Sequence, residues 1–113
     1  PEAHNLYLEP GKVSKEKMFD GFNGLYIANV WYTRFQNYNT GEFSTIPRDG
    51  VFLVKDGEFT PLKEIRITEN MINLMKNVKT IGSDLQQIYS WEVATPVFTP
   101  HVKVKNVNIT KPQ

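Results

Sequence analysis

The residue types that most often carry out metal and acid–base chemistry are sparse and widely spaced in this chain. His4 and His101 are the only histidines, and they lie near opposite ends of the 113 residues. A catalytic zinc needs three protein ligands, usually with two histidines a few residues apart, and the chain has no cysteine to add a thiolate. We therefore expect surface roles for both histidines and no metal site in this chain.

Carboxylates and hydroxyls likewise form no local catalytic arrangement. Glu42, Asp49 and Asp56 lie in turn-like sequence, where Asp is favoured because it hydrogen-bonds to nearby backbone. Ser44 and Thr45 have no adjacent histidine that could activate them as nucleophiles. Turn formation therefore explains the carboxylates better than a catalytic pair does. No serine triad can be assembled from the local sequence.

An aromatic run between Asn29 and Gly50 is the most informative stretch. It interleaves aromatic residues with arginines, namely Trp31, Tyr32, Arg34, Phe35, Tyr38 and Arg48. Such a surface could stack nucleic-acid bases or hold a sugar. Thirteen Lys and Arg residues balance twelve Asp and Glu residues without any basic block. Nucleic acid is therefore not the expected partner, and a core with an interface is favoured.

The elements that must position these residues begin with a short helix and a long strand. Ser14 is a suitable N-cap for a helix through Met18 and Phe19, which Gly21 would end. Gly24–Gln36 is apolar at alternate and intervening positions, a pattern typical of a central strand covered on both faces. The core face is predicted to hold Leu25, Ile27, Trp31 and Phe35. The face open to a partner is predicted to hold Tyr26, Tyr32 and Arg34.

Two Asp-Gly pairs, Asp49-Gly50 and Asp56-Gly57, predict a three-stranded meander, because Asp-Gly fits two-residue type I′ hairpins. Its strands are predicted to be Phe43–Pro47, Val51–Lys55 and Glu58–Leu62. Pro47 lacks a backbone N–H, which predicts a sheet edge or a bulge at that position.

The rest of the chain predicts one more helix and further strands. A strand over Lys63–Ile67 leads into a helix over Thr68–Val78, capped by its first residue and stopped by Gly82. The tail Gln87–Thr110 is predicted to form two strands. Bends or an edge are expected at Pro96 and Pro100, and a phase-resetting bulge at Lys105 and Asn106.

These elements predict a mainly β domain, a β-sandwich or half-open barrel with two short α-helices. Residues 1–13 are expected to form a leading segment or linker, and residues 14–113 a single domain. No apolar run is long enough to span a membrane, no secretory leader opens the chain, and the absence of cysteine fits a reducing compartment, so we expect a cytoplasmic location. The first residue is Pro1 rather than Met, and we expect a piece of a longer polypeptide.

Several of these segments together resemble the C-terminal domain of the TldD/PmbA family, in its archaeal-type branch. They are the run from Asn29 to Phe43, the stretch Thr40–Ser44, the strand and turn Gly50–Glu58, and the helix with Asn77 followed by Gly82-Ser83-Asp84. In that family a T-G-D-F-S-like stretch precedes an apolar strand, a D-G turn, and a helix that ends in a G-x-D-like turn. Here Glu42 stands where Asp is usual. The likeness extends from about Leu6 to Thr110.

The resemblance implies a cytoplasmic zinc-dependent metallopeptidase, called a modulator of DNA gyrase in older naming, whose subunits form homodimers or heterodimers around the active site. The family's H-E-x-x-x-H metal helix belongs to a part of the protein N-terminal to this domain. The resemblance therefore implies zinc in the full-length parent, no cofactor in this chain, and no catalytic or metal residue here. TldD-like members also use a cysteine that PmbA-like members and this chain lack.

For this chain, the resemblance implies that a loop over Gln36–Arg48 lies near the substrate cavity. The residues with this expected role are Asn37, Tyr38, Thr40, Gly41, Glu42 and Arg48. Its implied partners are the N-terminal domain of the same polypeptide, a second subunit and a peptide substrate. The alternative is a stand-alone β-rich module that binds peptide, glycan or nucleic acid through Trp31, Tyr32 and Arg34. A reading frame that starts at this domain favours the alternative.

Overall fold

The computed structural model describes residues 3–90 and 92–111, which are mainly β-structure. The helices are α1 (Lys15–Phe19) and α2 (Met71–Lys76). The strands are β1 (Leu6–Tyr7), β2 (Gly24–Asn37), β3 (Glu42–Lys55), β4 (Glu58–Pro61), β5 (Arg66–Asn70), β6 (Val78–Ile81), β7 (Gln86–Ser90), β8 (Val93–Thr99), β9 (Val102–Val104) and β10 (Ile109–Thr110). The sheets are open. The predicted class, mainly β with two short helices, is confirmed.

The chain divides into two compact units. The first unit combines the chain up to Asp20 with Val78–Val104, and the second combines Gly21–Asn77 with the chain from Lys105 onward. The first unit therefore contains α1, β1 and β6 to β9, and the second contains the other elements.

The first unit contains a three-stranded sheet with β8 in its centre. β1 pairs in parallel with β8 and β7 pairs with it antiparallel. Pro96 lies where the β7–β8 register shifts, which agrees with the bend expected there. β6 and β9 form a separate antiparallel pair. Among the described residues, the tail thus forms four strands, β7 to β10, rather than the predicted two.

The second unit is a sheet in the order β10-β5-β3-β2, with β4 also paired to β3. β2 and β3 form one long antiparallel ribbon from Gly24 paired with Val54 to Asn37 paired with Glu42. β3 is the shared strand and β2 lies at the edge of the sheet, so the predicted central position of β2 is wrong. Apolar residues on both sides of a strand do not require a neighbour on each edge, since burial of faces and pairing of edges are separate properties.

The two Asp-Gly pairs have different structures. Asp56 and Gly57 have φ values of 52° and 80° and connect β3 to β4, which is the predicted type I′ hairpin. Asp49 and Gly50 also have positive φ values, 62° and 134°, but they lie inside β3 at a register shift opposite β2. The preference of Asp-Gly for positive φ produces a bulge at this position instead of a turn. The first hairpin predicted for the meander is therefore wrong.

Pro47 also lies inside β3. It pairs with Val30 of β2, while β5 covers the opposite edge of β3 only at residues 42–45 and β4 only at residues 52–55. The proline therefore stands where one edge of β3 has no strand beside it, as its missing N–H predicts.

A bulge in β2 changes which side chains share a face. Trp31 pairs with Ile46. Arg34 then pairs with Ser44, so two residues of β2 stand opposite one residue of β3. One extra residue inverts the alternation of side chains, and Phe35 consequently leaves the face of Trp31 while Arg34 joins it. The predicted division of faces is wrong, and Trp31 is half-buried rather than part of the buried core.

The first helix matches its prediction and the second does not. Ser14 caps α1 by accepting a hydrogen bond from the Lys17 N–H, and Gly21 follows the helix with φ 68°. α2 is shorter than predicted because Thr68 and the residues around it pair with β3 as part of β5. Asn70 caps the helix instead, and the chain turns into β6 at Val78, before Gly82.

The chain after β9 also differs from its prediction. Asn106 has φ 57°, and β9 and β10 belong to different sheets. A turn therefore resets the phase of the apolar residues where a bulge was predicted near Lys105 and Asn106.

Buried apolar side chains concentrate on the shared strand of the second unit and its neighbours. They are Phe43, Val51, Val54, Ile65 and Ile67. Met18 of α1 is the corresponding buried residue of the first unit. Within residues 3–90 and 92–111, neither helix has the length and apolar character needed to cross a bilayer.

We expect Gly57→Val to lower the free energy of unfolding by about 1 to 3 kcal/mol. A Cβ at this position has no heavy atom within 4 Å, so the loss would come from forcing a β-branched residue to positive φ. Glu58→Val, one residue further in β4, is the control and should have little effect, because strands favour β-branched residues. Chemical denaturation measures both variants, and an unchanged midpoint for Gly57→Val would contradict the strain at this turn.

Candidate functional site

A four-residue turn, Tyr38–Gly41, closes the β2–β3 ribbon at one end. The side-chain oxygen of Asn37 accepts hydrogen bonds from the N–H groups of Asn39 and Thr40, at 3.0 and 3.3 Å. The Gly41 N–H donates to the Asn37 carbonyl at 2.9 Å, and Gly41 has φ 77°. Local hydrogen bonds and a left-handed glycine therefore fix this turn, which we call the ribbon tip.

The ribbon tip is also bound to the start of α2. Asn70 donates its side-chain N–H to the Thr40 carbonyl, and the Met71 N–H donates to the Gly41 carbonyl at 2.8 Å. The same Asn70 accepts from the N–H groups of Ile72 and Asn73, at 2.9 and 3.2 Å. One side chain thus caps α2 and holds the turn beside it.

The ribbon tip presents aromatic surface to solvent. Tyr38 is 84% exposed, and its ring stacks on Phe35 with centroids 5.3 Å apart and planes at 29°. Phe35 in turn contacts Phe43 of the core, at a centroid distance of 6.3 Å. The exposed Tyr38 ring therefore packs on Phe35, which in turn packs on Phe43.

The structure divides the predicted cavity loop between two places. The turn is only four residues long, and Glu42 and Arg48 lie within β3 rather than in a loop. Glu42 begins the strand beside the ribbon tip and donates its N–H to the Thr40 hydroxyl at 3.4 Å. Arg48 is six residues further along β3, about 20 Å at the usual rise of a strand. Asn37, Tyr38, Thr40, Gly41 and Glu42 are together at the ribbon tip, and Arg48 is elsewhere.

Arg48 belongs to a second group, the bulge cluster, formed by Asn29, Trp31, Tyr32, Arg48 and Asp49. The guanidinium carbon of Arg48 lies 5.9 Å from the Trp31 ring centroid and 5.3 Å from that of Tyr32. The Trp31 indole N–H donates to Asp49 Oδ2 at 2.7 Å, and the Asn29 amide donates to the same oxygen at 3.3 Å. Asp49 thus has a structural role in the cluster as well as in the backbone bulge.

The predicted interface residues occupy different surroundings on β2. Tyr26 is half-buried and lies against Phe52 and Phe59, with centroids 6.2 and 6.3 Å away. Tyr32 and Arg34 are exposed. Tyr32 is an aromatic residue with φ 56°, and the β2 bulge accounts for it.

The hydroxyls of Ser44 and Thr45 have packing roles. Ser44 and Thr45 are buried in β3. The Thr45 hydroxyl lies 2.8 Å from that of Thr33 and 3.1 Å from the Trp31 carbonyl, and the Ser44 hydroxyl accepts from Gln36 and Arg66 at 3.3 Å. Their hydrogen bonds satisfy buried polar groups of the ribbon.

The two histidines have different surroundings. His4 is exposed, whereas His101 is half-buried and its Nδ1 lies 2.5 Å from Asp84 Oδ2. The His101 backbone N–H also donates to Asp84, at 3.2 Å, and the Gly82 N–H donates to the His101 carbonyl at 2.8 Å. In the described part of the chain, no three His, Cys, Asp or Glu residues form a group that could hold a metal ion.

The Asp84 carboxyl has a lowered pKa. Partial burial acts to raise the pKa of Asp84, but the hydrogen bonds from the His101 ring and backbone, with the charge of that ring, outweigh it and hold the pKa below its ordinary value of 3.8. The Asp84–His101 pair therefore links the turn after β6 to the residue that precedes β9.

Known proteins resemble this chain in sequence and in fold. Residues 1–111 match the family described as the PmbA/TldA metallopeptidase C-terminal domain. The chain belongs to this family. The resemblance seen in the sequence to the TldD/PmbA C-terminal domain is thereby confirmed.

Individual proteins are similar to almost the whole of this chain. A metalloprotease of Methanothermobacter thermautotrophicus is 28% identical over 115 aligned residues, which cover 93% of this chain and 24% of that protein. A candidate modulator of a DNA gyrase from Thermotoga maritima has a crystal structure with a TM-score of 0.76 and 26% identity, covering 94% of this chain and 24% of that one. TldE from Thermococcus kodakarensis has the same TM-score, with 23% identity and coverage of 91% and 23%, a likeness of fold. The chain thus spans about a quarter of these relatives' length.

Sequence reasoning missed the structural roles of four residues that organise these places. Asn70 was hidden inside the predicted helix, although an Asn before an apolar helical run is itself an N-cap signal. Asp49 was assigned to a hairpin, and its bond to Trp31 depends on the pairing of β2 with β3. Asp84 and His101 are far apart in sequence, and no local pattern joins them.

Asp84→Asn should destabilise the protein by about 1 to 2 kcal/mol at pH 7, because it removes a charge-assisted hydrogen bond. Since the folded-state pKa is depressed, this stabilisation is present above pH 3.8 and is lost as the pH falls through the lower folded value. The difference in free energy of unfolding between wild type and Asp84→Asn should therefore shrink in that acid range. Asp20→Asn, which changes an exposed carboxylate after α1, is the control and should change the free energy of unfolding by less than about 0.5 kcal/mol at pH 7. Denaturation from pH 7 to 2.5 measures this, and a constant difference would contradict it.

Proposed function

We propose that this domain shapes the peptide-binding cavity and part of the dimer interface of a TldD/PmbA-like metallopeptidase. An H-E-x-x-x-H helix in a part of the protein N-terminal to it would supply zinc and the catalytic base. Family membership and the relative named as a metalloprotease support this proposal. The observation that carries it is the ribbon tip, a rigid turn that exposes a supported aromatic ring.

The ribbon tip has the properties of a surface that contacts a substrate. Its backbone is fixed by Asn37 within the turn and by Asn70 from α2, so little conformational entropy remains to be lost on binding. Tyr38 offers an apolar ring with a polar hydroxyl, which can pack on a peptide side chain and hydrogen-bond to its backbone. Thr40 and Gly41 belong to the turn that carries this ring, and Glu42, the first residue of β3, adds an exposed carboxylate after the turn.

The interface part of the proposal concerns the edge of the second unit's sheet. β2 is an edge strand, and its exposed residues Tyr32 and Arg34 are of the types that anchor interfaces. Half-buried Tyr26 lies further along the same strand. We propose that a second subunit, identical or homologous, or the N-terminal part of the same polypeptide covers this strand in the cytoplasm.

The metal part of the proposal is tested by comparing this chain with the protein made from the longest reading frame that contains it. The chain alone should bind no stoichiometric zinc and cleave no peptide, because His4 and His101 cannot supply three ligands. The longer protein should contain the H-E-x-x-x-H motif, hold zinc and cleave flexible peptides. Metal analysis and a fluorogenic peptide library measure both. Tight zinc in the chain alone, lost in a His4→Ala and His101→Ala double variant, would contradict the first expectation; a longer protein without motif or zinc would overturn the proposal.

The cavity part is tested in the same longer protein with two exposed tyrosines. Tyr38→Ala should lower kcat/KM about fivefold to tenfold, because it removes one aromatic contact with the peptide. Zinc content and thermal melting should stay unchanged, since Tyr38 is 84% exposed. Tyr89→Ala removes a tyrosine of similar exposure, 79%, from the first unit and should leave kcat/KM unchanged. Equal effects of the two substitutions would show that the ribbon tip does not contact the substrate.

A further inference from the structure

Arg48 of the bulge cluster has a charged side chain with aromatic contacts and no charged partner. In the part of the chain that the structure describes, no side chain or carbonyl accepts a hydrogen bond from its guanidinium group, and no carboxylate pairs with it. Its neighbour Asp49 is directed to Trp31 and Asn29 instead. The five N–H donors of an exposed arginine therefore remain available to a ligand.

The aromatic contacts hold the guanidinium in place without using its donors. Trp31 and Tyr32 meet edge to face, with centroids 6.2 Å apart, and Arg48 lies within 6 Å of both centroids. Rings attract the flat face of a guanidinium group, whereas a carboxylate binds its edge. These contacts reduce the side-chain freedom that would be lost on binding and use none of the guanidinium N–H donors.

The rings themselves are fixed by the bulges. Asp49 stands at φ 62° and Tyr32 at φ 56°, conformations that non-glycine residues seldom adopt. Asp49 can then accept the Trp31 indole N–H at 2.7 Å, and Tyr32 turns towards Arg48. Unusual backbone of this kind persists only where the surrounding structure enforces it, and it concentrates at binding sites.

We propose that Arg48 is a binding site for a carboxylate group of a peptide, held as a bidentate ion pair on the Trp31 and Tyr32 platform. A single arginine matches one planar, singly charged carboxylate. A phosphate or a polyanion fits less well, because the carboxylate of Asp49, next to Arg48 in the chain, repels a multiply charged anion more strongly than a singly charged one. That the carboxylate belongs to a peptide rests on the proposed function, whereas the arginine site rests on its own contacts.

The carboxylate could be the C-terminus of the peptide or an acidic side chain, and four peptides of one parent sequence distinguish them. The first has a free C-terminus and no acidic residue, and the second is its C-terminal amide. The third is the amide with one Glu, and the fourth is the amide with Gln in place of that Glu. The Trp31 indole N–H signal in a nitrogen-15 spectrum of this chain reports binding, and Trp31→Phe identifies the signal.

We expect the first or the third peptide to shift the Trp31 signal to saturation, and the two neutral amides to leave it unchanged. Arg48→Gln should weaken that binding about tenfold or more, the loss expected for charge-assisted hydrogen bonds. Arg48→Lys should recover only part of it, because an ammonium group cannot form the bidentate pair. Arg66→Gln is the matched control: it removes the same charge from the second unit, and Arg66 contacts Ser44 rather than a ring.

The outcomes separate this inference from the proposed function. Neutral amides that bind as well as the carboxylate peptides, or an equal loss in Arg48→Gln and Arg66→Gln, would overturn the arginine site. Inorganic phosphate that binds more tightly than either carboxylate peptide would overturn its selectivity. Dispersed spectra of every variant show that folding is retained. The zinc content and peptidase activity of the longer protein test the proposed function separately, and the zinc content does not depend on Arg48.

Discussion

The pairing of β2 with β3 is the constraint on which the second unit depends. β3 pairs with β2 along its whole length on one edge, and with β5 and β4 at its two ends on the other. Every neighbouring strand therefore takes its position from β3, whose Phe43, Val51 and Val54 supply much of the buried apolar surface. The ribbon tip and the bulge cluster are both features of this one ribbon, at its closed end and along its length.

The bulges give the β2–β3 ribbon two distinct candidate surfaces. A regular 14-residue strand pair would alternate its faces without interruption. The register shifts near Asn29 and Tyr32 instead bring a tryptophan, a tyrosine and an arginine together on one side. The apolar support for Tyr38 comes from Phe35, which the second shift moved to the face of Phe43. The irregularities that disturb the sequence pattern are thus the ones that build both candidate surfaces.

The sequence predicted those features whose cause is local. Ser14 caps the start of α1, Gly21 follows its end, and Asp56-Gly57 forms a type I′ hairpin turn. These features were predictable because a cap or a tight turn is determined by a few adjacent residues. Asp49-Gly50 carries the same local preference, yet long-range pairing with β2 uses it as a bulge. Thr68 could start a helix, but its backbone pairs with Ser44 of β3, and tertiary pairing overrides propensity. For the candidate site, the turn before Glu42 was visible in the sequence. Its attachment to Asn70 and the separate place of Arg48 were not, because both depend on contacts between distant residues.

The order in which the chain forms the first unit follows from the parallel pairing of β1 with β8. Leu6 meets Val97, and Val13 meets Gly82, so segments from almost opposite ends of the chain must find each other. During synthesis on the ribosome, residues 6–13, the early segment, cannot pair until nearly all of the domain has emerged. The β2–β3 ribbon of the second unit can form before then. Contacts of such long sequence separation slow folding, because the loop between them must be ordered first. The exposed Leu6, Tyr7 and Leu8 are then unpaired apolar residues during that delay. The early segment is where a nascent chain would be most open to chaperones or to premature association.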